Sequence, residues 1–136
     1  MGYILGDEGS GAVLGKTFIN MLYKGINDKG LIEDFENETG LNQPDIIQKV
    51  YREQMPNRLL ASFAPFIHKH TDVEWVDDMV IECFKSFFRN NTKHYRRPDL
   101  ECSFVGSIAY HFERQLREAA ASENVHIGKI LKEPLQ

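Results

Sequence analysis

Gly6-Asp7-Glu8-Gly9-Ser10-Gly11-Ala12-Val13-Leu14-Gly15-Lys16-Thr17 (residues 6–17) is the stretch on which the reading of the chain turns. Its closing Gly15-Lys16-Thr17 looks like a phosphate-binding P-loop, where a glycine, four residues and Gly-Lys-Ser/Thr let successive backbone N–H groups wrap phosphates. Five residues before Gly15, however, stands Ser10, with Gly9 and Gly11 to either side. Asp7 and Glu8 would set two carboxylates at the mouth of the cradle, where they repel phosphate. Only Tyr3-Ile4-Leu5 precedes as strand, and no later strand ends in an aspartate suited to magnesium. The favoured reading is a tight glycine turn that presents Asp7 and Glu8 and then opens a helix near Ser10. Gly9 and Gly11 would supply the backbone freedom of that turn. A P-loop NTPase stays as a rival, and Lys16→Ala tells the two apart.

The 136 residues suffice for one domain with a real core, and 42% hydrophobic with 26% charged residues is ordinary for a globular protein. A net charge of −4 disfavours generic nucleic-acid binding. No apolar run reaches the roughly 20 residues that span a bilayer, and no signal peptide stands at the start. Cys83 and Cys102 form no CxxC pair and read as reduced, buried thiols of a cytoplasmic protein. Strand-turn material within six residues of Met1 and an abrupt finish at Glu133-Pro134-Leu135-Gln136 suggest an excised piece of a longer protein.

Along the chain, Leu14, Phe18, Met21 and Leu22 have helical spacing between Gly11 and Lys24, with Gly25 as a stop. Leu31, Ile32 and Phe35 predict a short helix from Gly30 to Thr39, closed by Gly40. Pro44 suits the first turn of the next helix, whose apolar side is Ile46, Ile47, Val50 and Tyr51. Leu59, Leu60, Phe63, Phe66 and Ile67 follow, interrupted by Pro65, so a kink or two short helices are expected. Thr71-Asp72-Val73-Glu74 fits a capping box opening a long helix with Val73, Val76, Val80, Phe84 and Phe87 on its core side. Glu101 to Val105 reads as a buried strand, Gly106-Ser107 as a turn, Ile108 to Ala121 as a helix and Ile127 to Leu131 as a last strand. The sum is a helix-rich α/β piece.

With these elements placed, Gly2 to Gly15 resembles the signature of the BadF/BadG/BcrA/BcrD-type ATPases and N-acetylglucosamine kinases. Ser103-Phe104-Val105-Gly106-Ser107-Ile108-Ala109 resembles that family's adenosine-side loop, and Ile127-Gly128-Lys129-Ile130-Leu131 its closing segment. The resemblance covers essentially the whole chain and is strongest to the bacterial N-acetylglucosamine-kinase-like members. It implies an actin-like (ribonuclease H-like) sugar kinase of two lobes with ATP and sugar in the cleft, of which residues 1–136 are a single domain, the C-terminal lobe. By the same resemblance Asp7 holds the sugar, Glu8 supports the loop or approaches the ligand, and Gly106, Ser107 and Tyr110 lie on the nucleotide side. ATP and magnesium are the implied cofactors. An amino sugar and the missing N-terminal lobe are the implied partners, and a homodimer is left open. The family's general base and its Gly-Thr-Gly-Ser strand would precede Met1, and Asp28-Lys29-Gly30 does not match its phosphate hairpin. No catalytic residue is therefore expected in this chain.

Plainer readings stand beside these. Asp7 and Glu8 could serve the positive end of a helix dipole, and Ser107 could be an ordinary N-cap. His68-Lys69-His70 points its histidines apart on a helix, without a third metal ligand. Lys85, Arg89, Lys93, Arg96 and Arg97 suit a helix end and solvent, and Ser10 lacks triad partners. Besides the P-loop, the rivals are an ATPase activating a radical dehydratase, for which two such cysteines suit a bridging iron–sulfur cluster poorly, and a non-catalytic sugar- or nucleotide-binding module.

Overall fold

The computed structural model describes residues 3–5, 7–52, 56–91 and 99–133, with backbone alone at 3–5, 7, 8, 50, 51 and 56. Two compact units emerge: residues 8–69 form one, and residues 1–7 with 70–136 form the other.

The first unit is helical. Helix α1 spans Asp7–Asn20 and runs straight into a π-helical turn, Met21–Gly25. It begins earlier than the glycines suggest, since Gly9 and Gly11 lie inside the helix and neither has a positive φ. The expected tight turn ahead of Ser10 is therefore corrected: residues 7–11 are helical, and what burial α1 gains along Ala12, Leu14, Phe18 and Ile19 outweighs the entropy of its glycines. Helix α2 (Lys29–Thr39) is capped by Asp28, whose carboxylate accepts the Leu31 N–H at 3.2 Å, and ends on left-handed Gly40 at φ 71°. Helix α3 (Gln43–Tyr51) opens with a capping box that the sequence reading missed: Asn42 accepts from the Asp45 N–H and Asp45 returns the bond to the Asn42 N–H. The stretch around Pro65 is two short helices, α4 (Pro56–Ala61) and α5 (Ala64–Lys69), as its proline predicts.

Aromatic rings hold this unit together. Phe35 of α2 meets Phe18 of α1, Phe63 and Phe66 of α5 with ring centroids 5.7, 5.1 and 5.2 Å apart, all near edge-to-face. Beside them Tyr23 donates to Glu36 at 3.0 Å, tying the π-helical turn to α2. Burial, helped by that carboxylate, holds the phenol well above its ordinary pKa and keeps it neutral. Gly15, in mid-helix, is a site of close approach. A Cβ there would lie 2.1 Å from the Leu60 carbonyl oxygen of α4.

The second unit is built on a three-stranded parallel sheet, ordered β1 (Tyr3–Leu5), β2 (Cys102–Val105) and β3 (Ile127–Leu131). Helix α6 (Glu74–Asn90) leads towards β2; α7 (Ser107–His111) and α8 (Glu113–Ser122) connect β2 to β3. Ile81 and Phe88 of α6, Cys102 and Phe104 of β2, Leu116, Ala119 and Ala120 of α8 and Val125 make one buried cluster. Two polar links show that α6 and α8 run the same way. Near their starts, Asp77 accepts from Gln115 at 2.8 Å and pairs with Arg114. Near their ends, Arg89 holds the buried Glu123 carboxylate at 2.9 Å. The β2–β3 ladder slips by one residue between Cys102 and Phe104. At that bulge the Ser103 hydroxyl accepts the Lys129 N–H at 3.1 Å.

Two expectations need correction here. The long helix starts on Val73, not on a Thr71 capping box: the Val76 and Asp77 N–H groups bond the Val73 carbonyl, after a turn closed by Val73 N–H on His70. The helix expected over 108–121 is two pieces, hinged at Phe112, whose backbone (φ −105°, ψ 32°) leaves helical space. The spacing of Ile108, Phe112 and Leu116 continues across that bend, so periodicity cannot reveal it.

Asp77 gives a pH-dependent test. Burial pushes its carboxyl upward, but hydrogen bonds from Arg114 and Gln115 and the Arg114 charge outweigh it, leaving the pKa below the ordinary value. A folded pKa below the unfolded one stabilises above pH about 4 and is lost as pH falls through the folded value. The thermal midpoint of the native protein should exceed that of Asp77→Asn at pH 7, and the gap should close below about pH 4. A gap constant from pH 3 to 7 would assign the effect to packing.

Candidate functional site

Both glycine elements of the sequence sit at one edge of the sheet. β1 and β2 pair in parallel register, Tyr3 with Ser103, Ile4 with Phe104 and Leu5 with Val105. The two strands therefore end side by side at the carboxyl edge, and α1 opens at Asp7 while α7 opens at Ser107. The crevice outside the carboxyl ends of parallel strands is the general ligand position of open α/β sheets.

At this edge Gly106 is buried, with φ 135° and ψ 160°, a conformation that side-chain-bearing residues adopt only under strain. Its N–H bonds the Leu131 carbonyl at 2.8 Å, which ties the end of β3 to the same corner. Gly106, and not Ser107, is the capping residue of α7; Ser107 is the first helical residue, so its reading as an N-cap is corrected. Gly106 carries no side chain at this corner, and its donor is already used. Tyr110 is 46% exposed, with its ring edge-on to His111 at 5.3 Å. Asp7 and Glu8 are placed in the first turn of α1, and Gly6 lies outside the described residues.

The remaining candidates resolve plainly. Gly15-Lys16-Thr17 lies in the middle of α1, where the backbone N–H groups are committed to the helix, and the Thr17 hydroxyl donates to the Val13 carbonyl at 2.8 Å. That geometry is incompatible with a P-loop. Asp28 caps α2, as its mismatch with a phosphate hairpin suggested. Lys69 pairs with Glu38, and Lys85 with Glu82 at 3.4 Å; Lys93, Arg96 and Arg97 lie outside the described residues. Cys102 is buried in the core cluster, which pushes its thiol pKa up, and Cys83 Sγ lies 4.0 Å from Met79 Sδ. Among the described residues no group of three His, Cys, Asp or Glu side chains could hold a metal ion. Nor is any described helix long and apolar enough to cross a membrane.

Over 98% of its length the chain matches the crystal structure of a putative N-acetylglucosamine kinase from Porphyromonas gingivalis, at 47% identity and a TM-score of 0.86. The likeness to bacterial N-acetylglucosamine-kinase-like proteins holds. The chain spans about half of the Porphyromonas gingivalis protein, 47% of that chain. At this identity the likeness extends beyond the fold to the sequence carried on it. No family model matches the sequence, and no curated protein matches it.

Proposed function

We propose that the chain is the C-terminal lobe of an ATP-dependent, cytoplasmic sugar kinase with the actin-like fold, phosphorylating N-acetylglucosamine. The observation that carries this reading is the 47% identity over 98% of the chain to the Porphyromonas gingivalis protein. The paired ends of β1 and β2, two residues ahead of residues 7 and 107, support it. In such a kinase, catalysis is chiefly positioning and charge stabilisation around a phosphoryl group in transit. Here Asp7 accepts hydrogen bonds from sugar hydroxyls, with Glu8 beside it in the same helical turn. Gly106 leaves room for the nucleotide, and Ser107 and Tyr110 border it. ATP supplies the transferred phosphoryl group when bound. The described residues contain no carboxylate cluster for magnesium, so no step is assigned to it in this lobe.

The base that takes the hydroxyl proton belongs to the other lobe, so the isolated 136 residues should show no turnover. Full-length protein should release ADP from ATP only when N-acetylglucosamine is present, and the isolated chain should release none. Sugar-dependent ADP release by the pure chain would contradict the lobe assignment; full-length protein indifferent to the sugar would contradict the substrate. The dehydratase-activator alternative is poorly served, since Cys102 is 1% exposed inside the core cluster and cannot reach a bridging iron–sulfur centre.

A further inference from the structure

We propose that Ser103 and Gly128 are positioning residues for the nucleotide corner: together they hold a bulge in β3, and the bulge delivers the Leu131 carbonyl to the Gly106 N–H. This rests on the sugar-kinase reading above, in which Gly106 leaves room for the nucleotide. All the residues involved belong to the unit built on the sheet. Cys102 stands opposite Ile127, but Phe104 stands opposite Ile130, so Gly128 and Lys129 share the place facing Ser103. Such bulges are rare between parallel strands, and bulges are over-represented beside active sites. Strict alternation would put Ile127 and Ile130 on opposite faces, yet both pack against the buried cluster while Lys129 is exposed. Without the extra residue Ile130 would oppose Val105, and Leu131 would lie one residue, about 3.3 Å, out of step with Gly106.

Two backbone groups at the bulge are satisfied by side chains. The Ser103 hydroxyl accepts the Lys129 N–H at 3.1 Å, and the Gly128 carbonyl accepts from Arg117 of α8 at 3.3 Å. Arg117 is itself held by Glu113 at 2.8 Å. Gly128 makes the room for the serine: a Cβ there would stand 2.9 Å from Ser103 Oγ and 3.0 Å from Glu101 Oε2. The Glu101 carboxylate is the far end of an exposed side chain and swings aside. Ser103 Oγ can turn away only by releasing the Lys129 N–H. At the end of the strand the Leu131 carbonyl accepts the Gly106 N–H at 2.8 Å. That bond anchors a residue whose φ of 135° side chains tolerate only under strain. Loosening the bulge lets Leu131 move off Gly106, and the corner loses its fixed shape.

The test uses full-length protein carrying Ser103→Ala, Gly128→Ala, both together, or Val125→Ala. Val125 is buried in the same cluster but precedes β3 at its opposite end, so it reports lost stability alone. Circular dichroism establishes which variants fold, calorimetry titrates each with Mg-ATP, and the KM for N-acetylglucosamine is read at saturating ATP. Ser103→Ala and Gly128→Ala should each weaken Mg-ATP binding about tenfold, the scale of one lost hydrogen bond. The sugar KM should stay within about threefold, and Val125→Ala should change neither. Because both substitutions act on one contact, the loss in the double variant should fall well short of the product of the singles. Mg-ATP affinity within about threefold of wild type, equal damage to both substrates, losses that multiply, or an equal loss in Val125→Ala would overturn the inference. If one single variant does not fold, the other is read alone; failure of both overturns it, since the bulge would then serve the fold alone. Wild-type protein that binds no Mg-ATP brings down the kinase reading first. If wild type binds Mg-ATP but not the sugar, only the substrate assignment fails, and the Mg-ATP affinities still decide the inference.

Discussion

Asp7→Ala in the full-length protein is expected to abolish N-acetylglucosamine binding, a loss of about 100-fold or more, while Mg-ATP still binds. A carboxylate accepting from two sugar hydroxyls makes two charge-assisted bonds of about 1.5–3 kcal/mol each, and losing about 3 kcal/mol is two decades in affinity. The structure sharpens this test by placing Asp7 in the first turn of α1, where a purely helical role is also natural. An acidic residue serving only the helix dipole contributes about 0.3–1 kcal/mol to stability and nothing to the ligand. Calorimetric titration separates these outcomes. Sugar affinity within threefold of wild type, together with a slightly lower melting point, would leave Asp7 as a helix residue and move the sugar contact elsewhere.

Phe35→Ala should lower the stability of the helical unit by about 3–5 kcal/mol, the usual cost of deleting a fully buried aromatic ring. Phe35 is completely buried and its ring touches three others, from α1, from α5 and from the turn between α4 and α5. No neighbouring side chain can collapse into that space without breaking edge-to-face contacts of its own. Chemical denaturation followed by hydrogen exchange at the amides of α1, α2 and α5 reads the effect directly. A loss under about 1 kcal/mol would mean that Phe18, Phe63 and Phe66 repack, and that the cluster is less specific than its geometry implies.

Where the chain's local chemistry decided structure, the sequence was enough. The strands at 102–105 and 127–131, the Gly40 stop and the division at Pro65 all follow from short-range signals, and all are present. Misreadings arose where packing overrides local preference. Glycines 9 and 11 suggest a turn, yet α1 runs through them because one face of the helix, Gly11 included, is buried. Thr71 offers a cap that the chain bypasses for Val73, and the bend at Phe112 keeps the very periodicity that would have exposed it. The candidate site was legible as two separate motifs. Their juxtaposition was not, because the register of β1 on β2 joins residues 100 apart, and no local rule specifies such a pairing. Gly15 likewise read as part of a motif, since a close approach to Leu60 is invisible until both helices are placed.

That long-range strand pairing has a consequence for how the chain matures. Strands β2 and β3 and the helices between them are near neighbours in sequence and can assemble early, whereas β1 must wait about 100 residues for its partner. Chain-closure entropy alone makes the β1–β2 contact a late event. On the ribosome β1 is made before β2 and cannot form this pairing until residues 102–105 have emerged. Until then the segment Tyr3-Ile4-Leu5 is an apolar stretch without its β2 partner, the kind of surface that chaperones cover and aggregates recruit. The corner where β1 ends beside β2 is therefore among the later parts of this segment to form.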